Sequence, residues 1–545
     1  MSAVPEVPAD PAVNIVLSLS GGGYRAAGFH LGVIDLLDEL DLLKNVTLLS
    51  TVSGGTITGA LYAGNVAAGG DYASFYGRAY EFLLKVNVVQ RALGRMHAEG
   101  GGGLSLIRAA AQVYHEQLFA GFDERTFALL LGAPETHLSE VVFNATEFRH
   151  GLSFRFIKSR NPRAVFGNKF FPVGEAVAGR IRLGDVVAAS SCFPGAFEPL
   201  NFPDHFHWPT PGGLDDIRRD LGDAFRVEQD GEVLEVSVPL MDGGVYDNQG
   251  LESVSLAAER AGADLGIIIV SDTSQRSDAI MEFAGSRKEG GVTISGFARL
   301  LRVIFVLACL TVAAVAAKFS EAARGAGLKL YEYAWQHPYE TAFVYVMPAA
   351  MAAAVAALLL WLRLLIRRKR CVEIYGTTFD VWDTVRRLSV RDLLGLLRAR
   401  ADSLVAMSST IFLNRVRAQS FRRFAEDPRY RKRTVFNLIY RMTTRHPALF
   451  AQSEAMRPSA GLADLAARME KVETKLWVKD EDELKDLIAC GQATTCFNLL
   501  RHLLMVYGPQ IEARDPVVFP VFERAMASWT KLKEDHTGLL ARDRR

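Results

Sequence analysis

The chain has few cysteines and no C-x-x-C pair. The five present are Cys192, Cys309, Cys371, Cys490 and Cys496. This argues against structural zinc and against a disulfide framework, and it points to a reducing compartment. The chain also lacks an excess of charge: 62 Lys and Arg face 61 Asp and Glu, a net charge of +1. Such a balance excludes nucleic acid as an expected partner and excludes an acidic tail. The opening MSAVPEVPADPA has no basic n-region and no apolar h-region, so residues 1–12 are expected to be a short disordered tail rather than a signal peptide. No internal repeat or long low-complexity tract is visible. Neither does any Gly-Lys-Ser/Thr follow the glycine-rich stretch near the start, which rules out a P-loop.

Long apolar runs are what the chain does have. Hydrophobic residues make up 49% of its 545 residues. Two stretches concentrate them, LLRVIFVLACLTVAAVAA (300–317) and TAFVYVMPAAMAAAVAALLLWL (341–362). Each approaches the ~20 residues that cross a hydrocarbon core. Buried Ala-rich helices of a soluble core are the alternative. The flanks favour a membrane. Arg287, Lys288, Arg299 and Arg302 cluster at the start of the first run, and Arg363 and Arg367 to Arg370 lie at the end of the second. Positive charge on both outer flanks places them in the cytoplasm. Trp335, Tyr339, Tyr345 and Trp361 sit near the expected interfaces, and Ala349, Ala353 and Ala357 offer a small-residue packing face. Pro348 is expected to kink the second helix.

Elsewhere strands and helices alternate. NIVLSLS, VTLLSTV, VVFNATEF, SFRFIK, EVSVPLMD and LGIIIVSD read as strands, and 24–40, 54–66, 72–95, 104–117, 174–190 and 249–262 as helices. This order implies a mostly parallel sheet covered by helices, with ligands beyond the carboxyl ends of the strands. After the first strand stand Gly21-Gly22-Gly23-Tyr24-Arg25-Ala26. A dinucleotide fingerprint is the rival reading, but it requires a carboxylate after the second strand, where VTLLSTVSGGT has none. That second strand leads instead into Thr51-Val52-Ser53-Gly54-Gly55, similar to a nucleophile elbow, with Thr51 in place of the first glycine. A side chain there is expected to crowd the turn. Ser53 needs a base, and Asp242-Gly243-Gly244-Val245-Tyr246-Asp247-Asn248 follows the strand EVSVPL.

Gly21-Gly22-Gly23-Tyr24-Arg25, Val52-Ser53-Gly54-Gly55 and Asp242-Gly243-Gly244, in this order, resemble the patatin-like phospholipases. AASSCFPGAFEPL (188–200) resembles the family's small-residue segment before a Pro-Gly turn. The resemblance spans about residues 14 to 275. It implies an α/β, three-layer α/β/α sandwich with a mostly parallel central sheet. It also implies Ser53 as nucleophile, Asp242 as its base, and an oxyanion hole from the N–H groups of Gly21, Gly22 and Gly23 and of Gly54, supported by Arg25. The implied enzyme is a serine hydrolase of carboxylic esters in membrane phospholipid or lysophospholipid, with no metal and no cofactor. A catalytically retired patatin-fold membrane protein, its elbow damaged at Thr51, is the alternative.

The expected organisation is a tail (1–12), a catalytic domain (13–296), a transmembrane hairpin (297–368), a helical region completing the catalytic domain (369–510) and a charged helical tail (511–545). His30 is expected to pack rather than to act as a triad base. His205 and His207 read as loop histidines rather than metal ligands. The arginine-rich 413–445 reads as a solvated helical surface, with anionic headgroups as the functional alternative. Oligomeric state has no signature in the sequence.

Overall fold

The structure, a computed structural model, describes residues 12–98, 105–208, 213–229, 232–261, 265–275, 294–367, 372–374, 377–379, 389–407, 411–443, 454–508, 511 and 518–540. Most of the tail 1–12, the flanking Arg287, Lys288 and Arg368 to Arg370, and Cys371 lie outside them. The chain divides into two compact units, one of residues 1–278 with 411–545, the other of residues 279–410.

The first unit is built on an eight-stranded sheet. Its strands are β1 (Ile15–Leu19), β2 (Val46–Val52), β3 (Glu140–Glu147), β4 (Leu152–Ser159), β5 (Leu200–Phe202), β6 (Val238–Asp242), β7 (Ile268–Asp272) and β8 (Thr434–Leu438). The order is β8-β7-β1-β2-β3-β6-β5, with β4 also on β3. Pairing from β8 through to β3 is parallel, and β4, β6 and β5 are joined antiparallel. All six expected strands form. β5 and β8 were not expected as strands. β5 is only three residues long, and TVFNL of β8 is a short apolar run among arginines, which periodicity cannot tell from a helix segment.

Alternation along β1 shows how the layers form. Ile15, Leu17 and Leu19 join the main core, whereas Val16 joins a second cluster with Leu251, Val254 and Phe424 on the opposite face. Helices α1 (Gly23–Glu39) and α2 (Gly54–Ala67) follow β1 and β2 directly. Later come α3 (Leu183–Ser190), α4 (Leu251–Ala261), α5 (Ile294–Gly325), α6 (Met347–Arg367), α7 (Phe412–Glu426) and α8 (Glu481–Tyr507). A Cβ on Gly32 would overlap the Ile488 carbonyl, so α1 and α8 approach almost backbone to backbone. The last described helix, Phe519–Glu534, buries Val521, Ala525, Trp529 and Leu532, with Trp529 5.7 Å from Phe497 of α8. It is a packed part of this unit.

Two expected helices are interrupted. The segment 72–95 forms Tyr72–Lys85 and Val88–Ala98, because Asn87 caps a new start by accepting the Gln90 N–H at 2.9 Å. The segment 174–190 forms Glu175–Ala178 and then α3.

The second unit holds α5 and α6, which pack on each other. Windows Arg299–Gly325 and Pro338–Trp361 are long and apolar enough to cross a membrane, and most of their residues are exposed or half-buried rather than buried. A buried soluble core, the alternative reading, requires the reverse. Thr341–Val346 forms a π-helical turn just before Pro348. A widened turn accommodates the missing N–H and the ring of Pro348, which is how the helix absorbs the expected kink. Phe319 packs on Tyr345 at 5.1 Å near this turn.

Candidate active site

The register of β3 brings two distant strand ends together. One edge of β3 is taken over its whole length by β4. The other edge is shared: Leu48 to Val52 pair in parallel with Glu140 to Asn144, and Leu240 to Asp242 pair antiparallel with Glu147 to Ala145. β2 and β6 therefore point at each other. Val52 lies opposite Asn144 and Asp242 opposite Ala145, so the two carboxyl ends meet across adjacent residues of one strand.

Ser53 is the next residue after β2 and occupies φ 52°, ψ −118°. This is a left-handed conformation rare for a residue with a side chain, and one that the surroundings must impose. Its carbonyl accepts the N–H groups of Thr56 (2.8 Å) and Ile57 (3.2 Å), starting α2, and its own N–H donates to Ser190 Oγ at 2.9 Å. The Ser53 side chain lies close enough to the Asp242 carboxylate to favour its charged form. Asp242 accepts the Gly244 N–H at 2.7 Å, its backbone N–H donates to Cys192 O at 2.9 Å, and its carbonyl accepts from Thr146 Oγ1 at 2.8 Å. Burial pushes the Asp242 carboxyl up to about 6, against the opposing pull of the Ser53 side chain and the Gly244 N–H.

Thr51 does not crowd the elbow. Its hydroxyl bonds Thr56 Oγ1 at 2.9 Å, and its methyl fills the space a Cβ on Gly59 would take, at 2.5 Å. The helix glycine one turn beyond Gly55 makes room for the threonine.

The Gly21 to Gly23 loop lies against Ser53. A Cβ on Gly21 would stand 3.0 Å from the Ser53 Cβ, and one on Gly54 would overlap the Gly23 carbonyl. Gly22 and Gly23 both have positive φ, 144° and 59°. The N–H groups of this loop are not equivalent. That of Gly21 already donates to Asn248 O at 3.1 Å. Among the described residues, those of Gly22, Gly23 and Gly54 have no acceptor. They crowd at the start of α1 and α2, where helix ends favour negative charge.

Arg25 is buried and does not point to solvent. Its Nη1 donates to Val472 O at 2.5 Å, and desolvation lowers the guanidinium to about 10. Val472 and Lys475 belong to a segment leading into α8, and they and Asn248 were not marked as site residues by the sequence. The Asn248 Oδ1 stands 2.6 Å from where a Cβ on either Gly21 or Gly244 would be. Asn248 closes the motif Asp-Gly-Gly-x-x-x-Asn, and that proximity is the signal a sequence reading could have used.

The other expected residues lie apart from this chemistry. His30 is fully buried. Its Nε2 donates to Ser20 O at 3.0 Å, so Nδ1 accepts from Ser271 Oγ at 3.1 Å, and burial pulls the ring down to about 4. His207 Nδ1 pairs with Asp185 at 2.8 Å, and His205 Nδ1 accepts the Asn201 N–H at 3.3 Å. Much of the arginine-rich stretch is used inside the unit. Arg417 faces Asp272 at 3.6 Å, Arg423 faces Glu259 at 3.6 Å, Arg429 pairs with Asp427 at 2.7 Å, and buried Arg433 donates to Leu265 O.

The family model for patatin-like phospholipases matches residues 17–254. No curated protein matches the chain. Among solved structures, human GIVD cytosolic phospholipase A2 in complex with a methyl gamma-linolenyl fluorophosphonate inhibitor and terbium chloride is 18% identical, over 48% of this chain and 41% of that one, with a TM-score of 0.30. A second structure of human GIVD cytosolic phospholipase A2 is 12% identical, over 94% of this chain and 61% of that one, with a TM-score of 0.38. The chain thus spans less than two thirds of the length of these structural relatives. Residues 17–254 thus match the patatin-like phospholipase family model, and they belong to a patatin α/β fold built around a mostly parallel sheet.

Proposed function

We propose that the protein is a membrane-anchored lipid acyl hydrolase of the phospholipase A or lysophospholipase type. Ser53 is the nucleophile and Asp242 the base, without a histidine. The observation that carries this reading is a strained, elbow-borne Ser53 brought up to a buried Asp242 by the register of β3, beside unused amide donors. Asp242 takes the Ser53 proton as Oγ attacks the ester carbonyl. The tetrahedral oxyanion meets the N–H groups of Gly22, Gly23 and Gly54, where losing one such donor can cost roughly 10²–10³ in rate. Protonated Asp242 then gives its proton to the leaving alcohol, and an acyl-Ser53 ester remains. Asp242 next takes a proton from water as the water attacks the acyl carbon, and returns that proton to Ser53 Oγ as the second tetrahedral intermediate collapses and frees the fatty acid.

A cleft of about 660 Å³ beside the Asp242 turn accommodates the acyl chain in this reading. Phe148, Val245, Leu251, Phe412 and Val416 give it an apolar lining. One wall is Thr146, whose hydroxyl bonds the Asp242 carbonyl. The α5–α6 hairpin is the anchor, and the positive charge on its outer flanks supports a cytoplasmic catalytic unit acting on lipid of that leaflet. Labelling with a fluorophosphonate and hydrolysis of a lysophospholipid in detergent test the proposal together. Both must be lost in Ser53→Ala. A retained rate, or a label on another residue, overturns it.

A further inference from the structure

Ser190, the last residue of α3, is fully buried and touches both halves of the site. Its hydroxyl lies 2.9 Å from Ser53 N, 2.8 Å from Thr56 Oγ1 and 2.7 Å from Asn144 O. A hydroxyl has one proton and two lone pairs. Asn144 O can only accept, so the Ser190 proton goes there. The Ser190 oxygen must therefore accept from both the Ser53 N–H and the Thr56 hydroxyl. Thr56 has then spent its proton, so it accepts from Thr51 at 2.9 Å. The whole proton order, Thr51 to Thr56 to Ser190 to Asn144, follows from one carbonyl. On its backbone side, the Ser190 carbonyl accepts the Gly243 N–H at 3.3 Å, next to Asp242.

We infer that Ser190 is a positioning residue that holds the nucleophile turn against the base turn. The inference rests on the Ser53–Asp242 reading above. Ser53 keeps a left-handed backbone only while its N–H, which no helix or strand bond uses, has a fixed acceptor. Ser190 Oγ supplies it, and the same residue's carbonyl fixes the Asp242 turn. The sequence segment AASSCFPGAFEPL thereby gains a task. Its second-strand partner at the junction is Asn144, the residue of β3 opposite Val52.

The test uses the full-length protein in detergent, with kcat, KM, the rate of fluorophosphonate labelling and thermal stability. Ser190→Ala is expected to lower kcat and the labelling rate in parallel by about 10–100-fold. KM stays within about threefold of the parent, because no substrate contact is removed. Should Ser190→Ala fail to fold, Ser190→Cys keeps the volume while exchanging a strong acceptor for a weak one. It is expected to lower kcat about fivefold or more, without loss of thermal stability. Ser190→Thr, which keeps the oxygen, should return kcat toward the parent. A parent-like kcat in Ser190→Ala or Ser190→Cys, whether with lowered stability or with raised KM, overturns the inference. Ser53→Ala separates this failure from a deeper one. If Ser53→Ala abolishes hydrolysis while the Ser190 variants do not affect it, only the positioning role fails. If Ser53→Ala remains active, the catalytic reading itself fails.

Discussion

The carbonyl of Lys475 accepts the backbone N–H of Tyr24 at 2.7 Å, immediately after the glycine loop. Lys475 therefore spends a donor that would otherwise compete with Gly22 and Gly23 at the start of α1. Together with the Arg25 bond to Val472, it pins the loop to a segment from the far end of the chain. Arg25→Ala is expected to lower kcat about tenfold or more with little change in KM, since it loosens the donors rather than the substrate. Gly54→Ala should be more severe, because its Cβ would overlap the Gly23 carbonyl and push the loop away. Steady-state kinetics on a soluble ester measure both. Wild-type kcat in Gly54→Ala would contradict the placement of the oxyanion donors.

Ser53→Ala and Asp242→Asn should each abolish ester hydrolysis in a folded protein. The double variant should be no slower than either single one, as groups acting as a unit lose activity non-additively. A double variant slower by a further large factor would mean that the two residues work independently.

Asp242 makes the reaction and the stability depend on pH in opposite senses. As the proposed base, Asp242 works ionised, so kcat/KM should rise with pH through about 6 and then level off. For stability the folded pKa is raised above the ordinary carboxyl value of 3.8. This group's contribution is thus fully present below that value and is lost as pH rises through about 6. The difference amounts to about 3 kcal/mol at pH 8. Asp242→Asn should therefore melt higher than the parent at pH 8, with the gain shrinking toward pH 4. His30, pulled down to about 4, is neutral around the midpoint near 6, so His30→Gln should leave the kinetic midpoint where it is. Melting curves and pH–rate profiles read both effects.

The acyl chain's proposed place in the cleft beside the Asp242 turn predicts chain-length selectivity. Val416→Trp fills part of the space beside Phe148 and Leu251. Hydrolysis of long-chain esters should fall about tenfold or more relative to a short-chain ester, with the fluorophosphonate rate largely kept. An unchanged long-to-short ratio would place the chain elsewhere.

Replacing residues 297–368 by a Gly/Ser linker should release the protein from membranes. β7 and β8 pair with each other although they lie on either side of that segment in the chain, so the sheet does not need the hairpin to form. The variant should hydrolyse a soluble ester near the parent rate and act poorly on bilayer lipid, which has to be concentrated near the site. Protease protection in sealed vesicles checks the topology: the catalytic unit should be cleaved from the cytoplasmic side and the 318–340 loop should not.

Local chemistry was readable from the chain itself. Glycines between a strand and a helix, a serine at the next such turn, an Asp-Gly-Gly after a third strand and two apolar runs of membrane length are all short-range signals. They depend on φ, on helix ends and on composition, which neighbouring residues fix. What joined them was decided by pairing across long separations. Ser53 meets Asp242 because β2 and β6 share one edge of β3, and no local pattern in VTLLSTV or EVSVPL encodes that register. The same holds for β8, whose TVFNL becomes a strand only because β7 offers it an edge. Which glycine N–H groups are free was also a tertiary outcome, since Asn248 takes the one on Gly21. Ser190 stood in view as part of a small-residue segment, but its role arises only where the end of β2, the start of α2 and β3 converge on a single hydroxyl. Sequence sets what each turn can do, and the strand register sets which turns face each other.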